Sequence, residues 1–130
     1  MNNKFWVLGI GYWVLSLLAC KHEPLQSISC STPDTVSFSK DIIPIFNRHC
    51  NTSGCHVGNS PAGNLNLSVS VAYAQLQKKG SGYIDTITPN FSVLYASMNT
   101  VSNPMPTSGR LDDCTVNLVL KWIQQKAKNN

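Results

Sequence analysis

Two cysteines and a histidine lie within the seven-residue run from Cys50 to His56. Four residues separate Cys50 from Cys55, and His56 follows Cys55 directly. Thiols and imidazoles are nucleophilic and metal-binding groups, so this run is where we expect the chemistry of the chain. No arrangement resembles a catalytic nucleophile with its general base, and we therefore do not expect an enzyme.

Several chemistries suit this spacing. Two cysteine thiols can add to the vinyl groups of a haem, and the histidine after the second cysteine then lies under the iron as an axial ligand. The usual spacing is shorter, so the additional residues must bulge away from the porphyrin, which Gly54 allows. The alternatives are a plain disulfide between Cys50 and Cys55, a zinc site that also uses His49, and a redox-active dithiol. The motif favours covalent haem c as the cofactor.

The chain around this motif resembles small bacterial c-type cytochrome domains. The opening of those domains is similar to the run FSKDIIPIF, from Phe38 to Phe46, which leads into the motif. Their closing half is similar to Met105-Pro106 and to the final helix with Lys121-Trp122-Ile123. The departures are the four-residue spacing and Thr107, which stands where the family often has a second proline.

The resemblance covers about Val36 to Asn130 and implies a small cytochrome c-like fold that transfers electrons. The haem thioethers are then Cys50 and Cys55, and the axial iron ligands are His56 and Met105. Met105 lies between two prolines, where the backbone is stiff and no regular helix forms easily. Met98 is the other candidate ligand, but its helical spacing after Leu94 suits a packing residue.

The elements that position these groups are predicted to be helices, so the fold class is all-α. Asp41 is the predicted N-cap of a first helix with Pro44 in its first turn, and its apolar face continues to His49. Short helices are predicted over 70–79 and 92–98, and a long helix over 111–126. Two terminal helices with long loops supply little core, so we expect a flat apolar cofactor to complete the interior.

The N-terminal residues have the pattern of an export signal. Lys4 precedes an apolar stretch that ends in Leu17-Leu18-Ala19-Cys20 and resembles a bacterial lipobox. We predict a signal peptide over 1–19, lipidation of Cys20, a flexible tether over 20–35 and the cytochrome c-like domain over 36–130. The alternative is an ordinary signal peptide or a short anchor helix. The protein is then exported and anchored by lipid to a bacterial membrane, facing the periplasm or the cell surface.

Cys30 and Cys114 are predicted to form a disulfide. Of the five cysteines, one is assigned to lipid and two to haem, which leaves this pair in an oxidising compartment. Cys30 precedes the first helix and Cys114 lies in the first turn of the last helix, and the terminal helices are expected to pack together. The alternative is two independent buried thiols.

Composition limits the remaining function classes. The chain has 130 residues, enough for one domain, with 42% hydrophobic and 12% charged residues and a net charge of +4. Because the lysines form no basic stripe, nucleic-acid binding is not expected. A small-molecule substrate is not expected either. We expect an electron carrier whose redox partner the sequence does not name. The alternative function is a non-haem, disulfide-stabilised structural or binding lipoprotein.

Overall fold

The first helix begins at a serine cap one turn before the predicted start. The computed structural model describes residues 29–130. A π-helical turn, Phe38–Ile42, runs directly into helix α1, Ile43–His49. The Ser37 hydroxyl accepts a hydrogen bond from the Lys40 N–H at 3.2 Å, and the Asp41 carboxylate accepts one from the Ser37 N–H at 2.7 Å. Ser37 is therefore the N-cap. Asp41 accepts a hydrogen bond from the Ser37 backbone, as in a capping box, instead of capping the helix itself.

Pro44 explains why this helix starts with a wide turn. The Ile43 N–H donates to the Phe38 carbonyl, five residues back, instead of closing a regular α-helical turn. Pro44 has no N–H, and its ring crowds the carbonyl four residues earlier. The wider π-helical turn relieves this crowding before the α-helix continues.

Short helices and tight turns make up the middle of the chain. Helix α2 is Ala72–Leu76 and helix α3 is Val93–Asn99, and 3-10 turns form at Ala62–Asn64 and Pro89–Phe91. The buried Ser92 hydroxyl holds the loop before α3, since it accepts from the Asp85 N–H at 2.8 Å. The predicted helices over 70–79 and 92–98 are thus present, the first of them shorter than expected.

Helix α4, Asp113–Gln124, is the longest helix in the described part of the chain. The carboxylate of Asp112 caps it by accepting from the Thr115 N–H at 2.9 Å. The apolar stripe of α4 faces the interior, where the helix contacts both the π-helical turn and α3. Residues 29–130 contain helices and turns but no strand, which confirms the all-α class. Within the same range no helix is both long and apolar enough to cross a membrane.

The polypeptide itself fills the interior with aromatic and aliphatic side chains. The Phe38 ring lies 5.1 Å from the Trp122 ring and 5.2 Å from the Tyr73 ring, measured between centroids. Trp122 is fully buried, and its indole N–H donates to the Lys128 carbonyl at 2.9 Å. Phe38, Tyr73 and Trp122 therefore form an aromatic cluster in the core of the described residues.

Candidate functional site

The run from Cys50 to His56 forms a closed loop at the C-terminal end of α1. Cys50 ends the helix, and its N–H still donates to the Phe46 carbonyl at 2.8 Å. The His56 N–H then donates to the Cys50 carbonyl at 3.1 Å, which brings the two ends of the loop together. Gly54 adopts a φ of +81°, a left-handed conformation that glycine accepts without strain.

The two thiols of this loop are both free and lie in different surroundings. Cys50 is buried, and burial raises the pKa of its thiol from 9.0 to about 11, with a smaller contribution from the nearby Cys55. Cys55 is half-buried, and the Thr52 hydroxyl donates to its sulfur at 3.1 Å. Cys50, the residue that follows the helix, is therefore the less exposed of the two thiols.

Both the ring and the backbone of His56 form hydrogen bonds to other residues. Its Nδ1 lies 3.1 Å from the Leu65 carbonyl, and because a carbonyl oxygen only accepts, Nδ1 carries the proton in this contact. The His56 carbonyl in turn accepts from the Leu67 N–H at 2.8 Å. The Cys50–His56 loop is thus tied to the extended segment that contains Leu65 and Leu67.

Asn51 is a residue of this site that the sequence analysis did not single out. Its amide nitrogen donates to the Leu67 carbonyl at 2.8 Å and to the Asn47 side-chain oxygen at 3.0 Å. Its own side-chain oxygen is buried and has no hydrogen-bond partner among the described residues. Only its contact with a residue far along the chain marks Asn51, so no local sequence signal reveals it.

Met105 lies in the loop between α3 and α4. Its N–H donates to the Ser97 carbonyl at 2.9 Å, and its side chain is 38% exposed. Met98, by contrast, is 2% exposed and packs in the core, as its helical spacing predicted.

The structure contradicts the expectation of an electron-transfer haem domain. Among residues 29–130, no three or more His, Cys, Asp or Glu side chains are grouped so that they could hold a metal ion. The Cys30–Cys114 disulfide fits the alternative expectation of a disulfide-stabilised, non-haem protein. The prediction of an electron-transfer haem domain is therefore wrong.

A cavity of about 340 Å³ lies elsewhere, beside the C-terminal residues. None of the residues of the Cys50–His56 loop lines it. Its lining residues are Thr35, Val36, Gln125, Lys126, Lys128 and Asn130.

The predicted Cys30–Cys114 disulfide is confirmed. The two Cα atoms lie 5.3 Å apart, within the usual range for a bridge, and the residues are 84 positions apart in the chain. The predicted lipidation site, Cys20, lies outside the described residues. The helix-end position of Cys114 and the proximity of the termini were sufficient to pair it with Cys30, even though the haem assignment used in the elimination is wrong.

Residues 30–36 are held against α4 by side chains as well as by the disulfide. The Gln125 side-chain oxygen accepts from the Val36 N–H at 2.9 Å, and its nitrogen donates to the Asp34 carbonyl at 2.6 Å. The Lys121 amine donates to the Thr32 hydroxyl at 3.2 Å. Part of the stretch assigned to the tether therefore packs on the helical domain.

Comparison with known proteins provides no relative: no family model, curated protein or solved structure matches the chain. The functional argument therefore depends on the contacts of the chain itself.

Proposed function

We propose that this protein is a non-haem, disulfide-stabilised structural or binding lipoprotein. The observation that carries the proposal is the Cys30–Cys114 disulfide, which joins the start of the described chain to its last helix. Structural disulfides persist in oxidising compartments, which supports export of the chain. The aromatic core around Trp122 supports a domain that is stable without a cofactor.

The membrane is the partner that this proposal names. A lipid on Cys20 would hold the domain at a bacterial membrane, facing the periplasm or the cell surface, through the residues between Cys20 and Cys30. The short segment between the lipid and the disulfide would keep the helical domain close to that surface. Nucleic acid is not proposed as a partner, because the lysines form no basic stripe.

A cytochrome c-like arrangement of the helices belongs to the same proposal. The contact between α4 and the π-helical turn of the first helix supports it, since packing of the terminal helices is what the resemblance implies. In this proposal the scaffold is used without haem, and its interior is filled by Phe38, Tyr73 and Trp122.

Colour and mass test the non-haem proposal. The full chain is produced in a bacterial host that has haem-attachment machinery, and the purified protein is examined by pyridine haemochrome spectroscopy and intact mass. We expect a colourless protein whose mass contains no haem and whose spectrum equals that of the matched variant Cys55→Ala. Haem that stays with the wild-type polypeptide after acid–acetone extraction, and is reduced in Cys55→Ala, would overturn the proposal.

The N-terminal mass tests the lipid anchor. We expect a mature chain that begins at Cys20 and carries the added mass of acyl chains, recovered in the membrane fraction. Cys20→Ser is the matched control and should give uncleaved precursor or a soluble form. An unmodified N-terminus that begins at another residue would contradict the anchor.

A further inference from the structure

We propose that Cys50 and Cys55 form a redox-active dithiol that exchanges with disulfides in the exported compartment. The proposal rests on the proposed function, since both thiols must be free of haem. Both are free in the structure, in a chain whose other described cysteines are joined in a disulfide. The ligand class is a disulfide, either of a protein or of a small thiol compound.

The loop geometry places the two thiols within reach of each other. Because the His56 N–H and the Cys50 carbonyl oxygen are 3.1 Å apart, standard backbone dimensions limit the separation of the Cys50 and Cys55 Cα atoms to about 8 Å. A disulfide requires a Cα separation of about 4.4–6.8 Å, so closing the bridge needs at most a small movement of the loop backbone. Gly54 lies between them in a left-handed conformation, and a Cβ added to it would meet no atom within 4 Å apart from its chain neighbours, which leaves the loop room to adjust.

The two thiols differ in a way that assigns each a role. Cys55 is half-buried and accepts a hydrogen bond from the Thr52 hydroxyl. Cys50 is 9% exposed and is shielded by the end of α1. An external disulfide therefore meets Cys55 first, and Cys50 is the resolving thiol.

Exchange proceeds in two balanced steps. The Cys55 thiolate attacks one sulfur of the external disulfide, so that a Cys55–partner disulfide forms and the other partner sulfur leaves as a thiolate. The Cys50 thiol then loses its proton to solvent and attacks the Cys55 sulfur, which forms the Cys50–Cys55 disulfide and releases the second partner thiolate. The protein loses two electrons and two protons, and the external disulfide is reduced to two thiols. The reverse sequence oxidises an external dithiol.

Thiol–disulfide exchange in both directions fits the oxidising compartment that the Cys30–Cys114 disulfide indicates. The Cys30–Cys114 bridge shows that the chain forms disulfides, and it ties the N-terminal segment to α4 at a site distinct from the Cys50–His56 loop. Oxidation of the loop therefore does not require that the structural bridge open. We expect the loop to change redox state while the helical core remains folded.

Equilibration with glutathione tests the dithiol. The full purified chain is incubated in a series of reduced and oxidised glutathione mixtures, acid-quenched, alkylated and analysed by peptide mass spectrometry. We expect the peptide that contains both cysteines to lose two hydrogens as the oxidised fraction rises, and to regain them on return to reduced glutathione. Thiols that stay reduced throughout the series would overturn the proposal.

Two single variants test the assigned roles. Cys50→Ser should accumulate glutathione on Cys55, because the resolving thiol is gone. Cys55→Ser, the matched control, should react more slowly, because its remaining thiol is shielded. Equal reaction of the two variants, or faster reaction of Cys50, would overturn the roles. A haem mass on the same peptide would overturn the proposed function as well, and it is distinguishable from thiols that merely remain reduced.

Discussion

Removal of the Cys30–Cys114 disulfide should cost the domain a large share of its stability. The perturbation is the double variant Cys30→Ser/Cys114→Ser, which leaves no odd thiol from this pair. The hydrogen bonds that Gln125 and Lys121 make to the N-terminal segment do not depend on the bridge. We therefore expect the folded structure to persist and the effect to fall mainly on the unfolded chain.

The length of the closed loop determines the magnitude. The cysteines are 84 positions apart, and the chain-entropy relation for such a loop gives about 4.5 kcal/mol near room temperature. Measured losses on removing native disulfides from small domains are about 2–5 kcal/mol, so we expect a loss of about 3–4 kcal/mol. Since small domains are stable by about 5–15 kcal/mol, this is a substantial part of the total free energy of unfolding.

Urea unfolding followed by far-ultraviolet circular dichroism and by Trp122 fluorescence measures the effect. The double variant should show a lower midpoint and a larger m-value, because an unbridged unfolded chain exposes more surface. Cys55→Ser is the matched control, since it removes a half-buried thiol and leaves the bridge, and it should cost less than about 1 kcal/mol. A loss below about 1 kcal/mol in the double variant, with an unchanged m-value, would refute the argument from loop closure.

Three further measurements follow from single contacts. Because the folded pKa of Cys50 is about 11 against 9.0 for an ordinary thiol, the unfolded chain loses this proton first. The free energy of unfolding of the protein with Cys50 reduced should therefore fall as pH rises from 9 to 11, by up to about 2–3 kcal/mol, and Cys50→Ala should abolish this slope in a urea series. Asp112→Ala removes the cap of α4 and should cost about 1 kcal/mol, more than Asp113→Ala, and equal costs would contradict the capping role. Gln125→Ala leaves the Val36 N–H unpaired and should cost about 1–3 kcal/mol, with faster hydrogen exchange at that amide; unchanged exchange would show that the contact is not formed in solution.

Local sequence determined the features that depend on neighbours in the chain. The apolar period and the acidic residues at the start of α4 predicted that helix to within two residues at each end. The first helix was found, but its start was misplaced, because Ser37 and Asp41 are both good caps and only the π-helical turn before Pro44 decides between them. The pairing of Cys30 with Cys114 was also accessible, since it requires only that the two terminal segments meet.

The tertiary structure decided where the side chains of the Cys50–His56 motif lie. The sequence motif favoured haem, although zinc, a disulfide and a dithiol also use two thiols at short spacing. The surroundings of these side chains depend on distant residues. Phe38 packs against Trp122 in the interior, and Asn51 and His56 form hydrogen bonds to a segment more than eight residues away. Contacts between residues distant in the chain create burial and enclosure, and no window of sequence contains them.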